Sequence, residues 1–196
     1  MLLLFRFFAQ SYNQPLVVTE DQRRSMRCKY EMALLDLMQA APTPIATRIQ
    51  VLFYHLDDII NSRHVLTHTD ISWTNILVHP TTGSLTGVID WANASIEPFG
   101  KALCGLEHIF TLVPTTQHGP IFVDDVLFYR QIFEDFLADS IGVDIKSEEW
   151  QTFMWAKTLG VMLRYGYKYD DVSGTTKVSG DWQRIEMVLE LGALEE

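Results

Sequence analysis

The sequence predicts a mainly α-helical fold of the α+β class that carries one small β-hairpin. Three observations point there. Apolar residues recur at the 3.6-residue helical period over several long stretches. Between two groups of these stretches lies a run of short β-prone segments separated by turn residues. Finally, 47% of the 196 residues are hydrophobic, enough to bury one substantial core, and no repeat, low-complexity tract or obvious linker divides the chain.

Taken in order, Met1 to Ala9 is apolar but short, is broken by Arg6 and has no basic region ahead of it. It reads as a core helix and not as a signal segment or a membrane span. Thr19 to Gln22 has the pattern of a capping box, and Met26, Tyr30, Ala33, Leu34, Leu37 and Met38 follow at helical spacing toward a stop at Pro42 and Pro44. Ile45, Ile49, Leu52, Phe53, Leu56, Ile59 and Ile60 form one continuous second stripe that ends near Asn61 and Ser62. Val65 to Thr67 is a short strand. Asn75 to Val78 and Leu85 to Ile89 flank the turn residues Pro80 to Ser84, which predicts a hairpin. Tyr129, Ile132, Phe133, Phe136 and Leu137 mark a further helix. Trp150 to Tyr165 is apolar nearly all round and so belongs inside, and Trp182, Ile185, Val188 and Leu189 give a last helix. Pro114 to Pro120 and Asp170 to Gly180 read as long loops.

Charge and cysteine usage exclude several classes. With 25 acidic residues against 15 basic, the formal charge is −10, and no Lys/Arg run is present to track a phosphate backbone, so nucleic acid is not an expected partner. Cys28 and Cys104 supply neither a disulfide framework nor a CxxC metal site. The expectation is a cytoplasmic protein in a reducing compartment, with no membrane partner.

The chemistry concentrates in His68-Thr-Asp70-Ile-Ser-Trp-Thr-Asn75, followed after the hairpin by Gly87-Val-Ile-Asp90-Trp91. An HxDxxxxN loop, a hairpin and an Asp at the end of the second strand reproduce the order of parts used in kinase-type phosphoryl transfer. Asp70 is the candidate catalytic residue, placed to orient an attacking hydroxyl and accept its proton. Asn75 and Asp90 are candidate magnesium ligands, because a hard cation takes oxygen donors and keeps phosphates and waters as its other ligands. His68 is assigned a structural role in the loop, since Asp70 already fills the base position.

His68-Thr-Asp70-Ile-Ser-Trp-Thr-Asn75-Ile-Leu-Val, with Thr82 to Ala94, resembles the paired HGDxxxxNILV and GIIDWxxA signatures of the aminoglycoside phosphotransferase and choline kinase-like family. The stretch Ile96 to Glu107 is similar to fungal members. The chain departs from the pattern at Thr69, where the family commonly has Gly. Protein kinases usually place Lys where Ser72 stands and write Asp-Phe-Gly where this chain has Asp90-Trp91-Ala92, so the small-molecule branch is favoured. The resemblance implies ATP as phosphate donor, Mg2+ as cofactor and a small-molecule hydroxyl as acceptor. It also implies the C-terminal lobe of a protein-kinase-like fold over residues 1–196, with the catalytic loop at 68–75, the hairpin at 75–91 and a helical substrate subdomain at about 99–192.

The family's N-terminal lobe supplies a glycine loop and a strand lysine for the phosphates. Here the first glycine is Gly83 and the only lysine before His68 is Lys29, inside a predicted helix. That lobe is therefore expected to be absent and the isolated chain inactive, with no nucleotide-binding residue of its own assigned. The alternative is a truncated or non-catalytic scaffold of the same fold. Packing outweighs a Cys104–His108 pair and a zinc site of His64, His68 and His79. Trp150, Trp155, Tyr165, Tyr167, Tyr169 and Trp182 lie where the family builds its acceptor pocket, but their density reads first as core.

Overall fold

A computed structural model describes residues 4–112, 121–122, 124–170, 175–178 and 180–193. Four helices come first: α1 (Leu4–Tyr12), α2 (Glu20–Ala40), α3 (Thr43–Tyr54) and α4 (Leu56–Asn61). The first is amphipathic and buries Leu4, Phe8, Ala9 and Tyr12, so it runs one turn beyond the predicted apolar segment. The capping box is present: Thr19 Oγ1 accepts the Gln22 amide, and the Gln22 side chain takes the Thr19 N–H at 2.8 Å. The predicted second stripe is two helices instead of one, with His55 between them. The break leaves the phase of the apolar residues intact, and Ile45, Ile49, Leu52, Leu56 and Ile59 are all buried. Periodicity alone therefore could not reveal it.

The chain then enters β1 (His64–Thr67), a 3-10 turn at Trp73–Asn75, β2 (Ile76–Val78), β3 (Leu85–Val88) and β4 (Ser95–Pro98). The predicted hairpin is the antiparallel β2–β3 pair, shorter than expected and with a register shift at Leu77/Val78. A second pairing was not expected: β1 and β4 run antiparallel, His64 opposite Pro98 and Thr67 opposite Ser95. The loop from His68 to Asn75, the hairpin and the turn after it thus form one excursion clasped at its base.

The second half contains α5 (Phe99–Ala102), a 3-10 turn at Leu103–Gly105, α6 (Leu106–Phe110), β5 (Thr111–Leu112), β6 (Ile121–Phe122), α7 (Val126–Ile141), α8 (Glu148–Gly166), β7 (Tyr167–Asp170), β8 (Thr175–Val178) and α9 (Trp182–Ala193). The described residues hold four two-stranded antiparallel sheets, where the sequence pointed to one hairpin. One of them, β7–β8, occupies much of the segment expected to be a loop at Asp170 to Gly180. The loop expected at Pro114 to Pro120 lies outside the described residues. No helix among the described residues is long and apolar enough to cross a membrane.

Helix α8 joins two cores. Its early turns place Trp150 and Phe153 in a cluster with Phe8, Tyr12, Val65, Ile71, Phe99 and Phe133. Its later turns place Leu159, Met162 and Tyr165 with Leu34, Leu37, Ile49, Ile59 and Ile185. Helix α5 crosses α8 so closely that a Cβ at Gly100 would stand 2.2 Å from the Phe153 carbonyl oxygen, so only glycine fits there. This crossing sets the position of α8 against the base of that excursion.

Candidate active site

The residues from His68 to Asp90 are tied together by backbone and side-chain hydrogen bonds. His68 is 4% exposed and bonds on both ring nitrogens: Nε2 to the Ile89 carbonyl at 2.7 Å, and Nδ1 to the Asp70 amide at 3.2 Å. The carbonyl can only accept and the amide can only donate, so the ring is the neutral tautomer with its proton on Nε2. Trp91 packs edge-on against it at 4.9 Å. The role seen is that of a strut between loop and hairpin.

Asn75 is buried at the end of the 3-10 turn and turns its amide nitrogen inward. Nδ2 donates to the Asp70 carbonyl at 2.8 Å and lies 3.4 Å from Asp70 Oδ2. Its carbonyl oxygen Oδ1 has only a long contact, 3.5 Å, from the Thr74 hydroxyl. The Asn75 backbone carbonyl accepts the Ile89 N–H at 3.0 Å, which brings the residue next to Asp90 alongside the loop. Asp90 itself adopts φ 64°, a left-handed conformation uncommon outside glycine, and its exposed carboxylate makes no hydrogen bond or ion pair among the described residues. Backbone conformations of this kind concentrate at functional sites. Thr69 needs no positive φ, and its hydroxyl donates to the Asn93 carbonyl at 3.0 Å, so the departure from Gly is accommodated.

The fit to a magnesium ion rests on this donor set. The Asn75 amide oxygen, held only by the long contact from Thr74, and the Asp90 carboxylate, free among the described residues, are hard oxygen donors on adjoining segments, and they suit a cation that keeps phosphates and waters as its remaining ligands.

The partner of Asp70 was missed by the sequence reading. Arg164 of α8 reaches the loop with two arms, Nη2 to Asp70 Oδ1 at 2.5 Å and Nη1 to the Thr69 carbonyl at 2.8 Å, and its Nε donates to His108 Nε2 on α6. The hydrogen bond from Arg164 holds the Asp70 carboxyl below its usual value despite partial burial. His108 on α6 also receives Tyr165 Oη at 3.2 Å on Nε2, so Nε2 is an acceptor and the ring is neutral. Burial, reinforced by Arg164 and Arg184, pushes its pKa down to about 4. His108 therefore partners Arg164 and Tyr165, while burial raises the Cys104 thiol. One sequence feature pointed to Arg164: with Lys157 it is one of two cations in the otherwise largely apolar stretch from Trp150 to Tyr165, and a cation in such a helix requires a partner.

The base of the clasp holds a second charged cluster. Glu97 on β4 is 4% exposed and accepts from Lys101 Nζ at 2.7 Å, Ser95 Oγ at 3.0 Å and the Tyr30 hydroxyl. Burial pushes its carboxyl up, but Lys101 and the hydrogen bonds outweigh that and keep it below the usual range. The aromatics expected to read as core largely do: Trp150 and Tyr165 are buried, Trp155 stacks on His55, and the Tyr167 hydroxyl donates to the Ala33 carbonyl at 2.9 Å. The Tyr169 side chain lies outside the described residues.

Comparison with curated proteins gave no match. The sequence model of the phosphotransferase enzyme family matches residues 19–100, a segment that contains Asp70, Asn75 and Asp90 together. At the level of family, this part of the chain is similar to phosphotransferase enzymes.

Proposed function

We propose that the chain is the acceptor-side, base-carrying part of an ATP-dependent phosphotransferase acting on a hydroxyl of a small molecule. The observation that supports this most is the coupling of Asn75 to Asp70, at 2.8 Å through the loop carbonyl, in a segment that is also stitched to the residue before Asp90. Asp70 receives the acceptor hydroxyl and takes its proton as the oxygen attacks phosphorus. Arg164 holds one carboxylate oxygen and keeps the group ionised, so the lone pairs left on Asp70 are available to the substrate. Asn75 and Asp90 would hold magnesium, which would supply positive charge to offset the negative charge of the phosphates. Holding both reactants in line supplies much of the rate, and the glycine loop and lysine that clamp a triphosphate belong to a separate lobe.

The test has two arms. Manganese binding, read by water proton relaxation, should weaken at least tenfold on combined Asn75→Ala and Asp90→Ala substitution. Transfer from ATP should be undetectable for the chain alone and should appear when a lobe with a glycine loop and lysine is supplied. It should then fall about 10²–10⁴-fold in Asp70→Asn. Transfer indifferent to Asp70→Asn would refute the proposed role.

A further inference from the structure

An arginine and a carboxylate often meet fork to fork, two N–H groups on two oxygens. Arg164 and Asp70 do not. Nη2 alone donates to Asp70, and to one oxygen, Oδ1, at 2.5 Å. The other oxygen, Oδ2, keeps only a 3.4 Å contact from Asn75 Nδ2, on a half-exposed side chain. Within a guanidinium Nη2 belongs to two forks, one shared with Nε and one with Nη1. Both forks are split here: Nη1 donates to the Thr69 carbonyl at 2.8 Å, and Nε donates to His108 Nε2.

The Thr69 carbonyl is loop backbone beside Asp70 and moves with it, whereas His108 belongs to a different element, α6. Its position is fixed from two directions. The 3-10 turn before α6 lies so close to the loop that a Cβ at Gly105 would stand 2.8 Å from the Ile71 Cβ. From α8, Tyr165 Oη lies 3.2 Å from His108 Nε2, and Arg184 of α9 stacks over the Tyr165 ring with its Cζ 4.5 Å from the centroid. An arginine Nε can only donate, so His108 Nε2 is the acceptor, Tyr165 also donates to it, and the ring proton is on Nδ1.

A neutral ring is required for this contact. The charged and titratable groups around His108 are Arg164 and Tyr165 from α8, Arg184 from α9, Asp70 from the loop and Glu107 from α6 itself. Burial, reinforced by the two arginines, keeps the Nε2 lone pair available at neutral pH. Without the acceptor, Nε and Nη2 would be free to close together on Asp70, and the second N–H would take Oδ2. That is the oxygen left for the proton of the acceptor hydroxyl.

Building on the phosphotransferase reading, we infer that His108 is a positioning residue: its Nε2 draws the Arg164 Nε away from Asp70, restricts the pair to one oxygen and leaves the other open to the acceptor hydroxyl. It acts on the base through Arg164.

The unaltered chain gives the first reading. Nitrogen-15 NMR at pH 7 should show the His108 proton on Nδ1 and a coupling across the hydrogen bond from the Arg164 Nε–H to His108 Nε2. A proton on Nε2 at that pH overturns the inference, whether or not any variant folds. Crystal structures of His108→Leu and His108→Gln give the second reading. Arg164 should grip both Asp70 oxygens in the leucine variant and one in the glutamine variant, whose amide oxygen replaces the lost acceptor. In the completed enzyme, His108→Leu should lower kcat about tenfold or more with KM within about twofold, and His108→Gln should recover most of the loss. A purely structural histidine would leave the Asp70 contact alone and would not distinguish the two variants. A one-oxygen contact retained in His108→Leu, or equal kcat losses in both variants, therefore overturns the inference. A completed enzyme that moves no phosphate with His108 unaltered would count against the phosphotransferase reading, because the grip of Arg164 on Asp70 is read without turnover.

Discussion

Arg164 meets Asp70 across 94 residues of chain, its Nη2 2.5 Å from Oδ1. The contact joins the long central helix to the loop that carries the proposed base. It fixes the loop at Thr69 as well, so the position of Asp70 depends on the packing of α8 as much as on its own turn.

The surface side of this contact predicts a mild phenotype. The Asp70 side chain is 47% exposed, and an exposed ion pair contributes about 1 kcal/mol or less. Asp70→Asn should therefore lower stability in urea by no more than about 1 kcal/mol at pH 7. Glu97→Ala should cost about 3–5 kcal/mol, because it leaves Lys101 without its counter-charge and Tyr30 without its acceptor in the interior. Equal losses in the two variants would show that the clasp does not depend on Glu97.

His108 makes stability pH-dependent. Its pKa is pushed down to about 4 in the folded chain, against about 6.5 when unfolded, so the unfolded state binds the proton first as pH falls. Stability is full above about pH 7, declines from pH 6.5 toward 4 and is then flat with respect to this group. The loss is at most about 2 kcal/mol once partial solvent access is allowed for. His64, which burial also lowers, adds in the same direction. Denaturation series at several pH values should show a shallower decline for His108→Gln than for the parent, and an unchanged slope would reject the assignment.

Gly100→Ala tests the crossing of α5 and α8. A methyl group cannot occupy a point 2.2 Å from the Phe153 carbonyl oxygen without backbone movement, so a loss of about 1–3 kcal/mol is expected. A melting temperature unchanged by the substitution would mean that the two helices separate freely.

Asp90 should show the opposite balance of stability and function. At φ 64° glycine is at ease and alanine is not, so Asp90→Gly should melt at or above the parent, and Asp90→Ala about 1 kcal/mol below the glycine variant. Both variants should weaken manganese binding. A glycine variant clearly less stable than the parent would give Asp90 a structural role instead.

Local chemistry was readable where it is written within a few residues. The Thr19–Gln22 box, the β2–β3 hairpin and the stripes of α2 and α8 rest on neighbours in sequence, and each is present. Strand β4 was not readable: Ser95 to Pro98 is four residues long, ends in proline and carries a buried Glu97, so neither propensity nor alternation marks it. It exists because His64 to Thr67 lies beside it. Arg164 and Arg184 were overlooked for a related reason. Their partners lie on other helices or in the loop from His68 to Asn75, and periodicity records which face of a helix is inward without recording what it meets there.

The clasp of β1 and β4 has a practical consequence for anyone wishing to label this molecule. Both ends of the excursion are held by paired strands, and Asp70 and Ile89, the residue before Asp90, are stitched near its base through His68 and Asn75. The far tip, Pro80 to Gly83, is exposed and touches no core residue. A fluorophore or short peptide inserted between Thr81 and Thr82 would sit at the end of a tethered arm, able to report motion of the hairpin without disturbing the residues at its root.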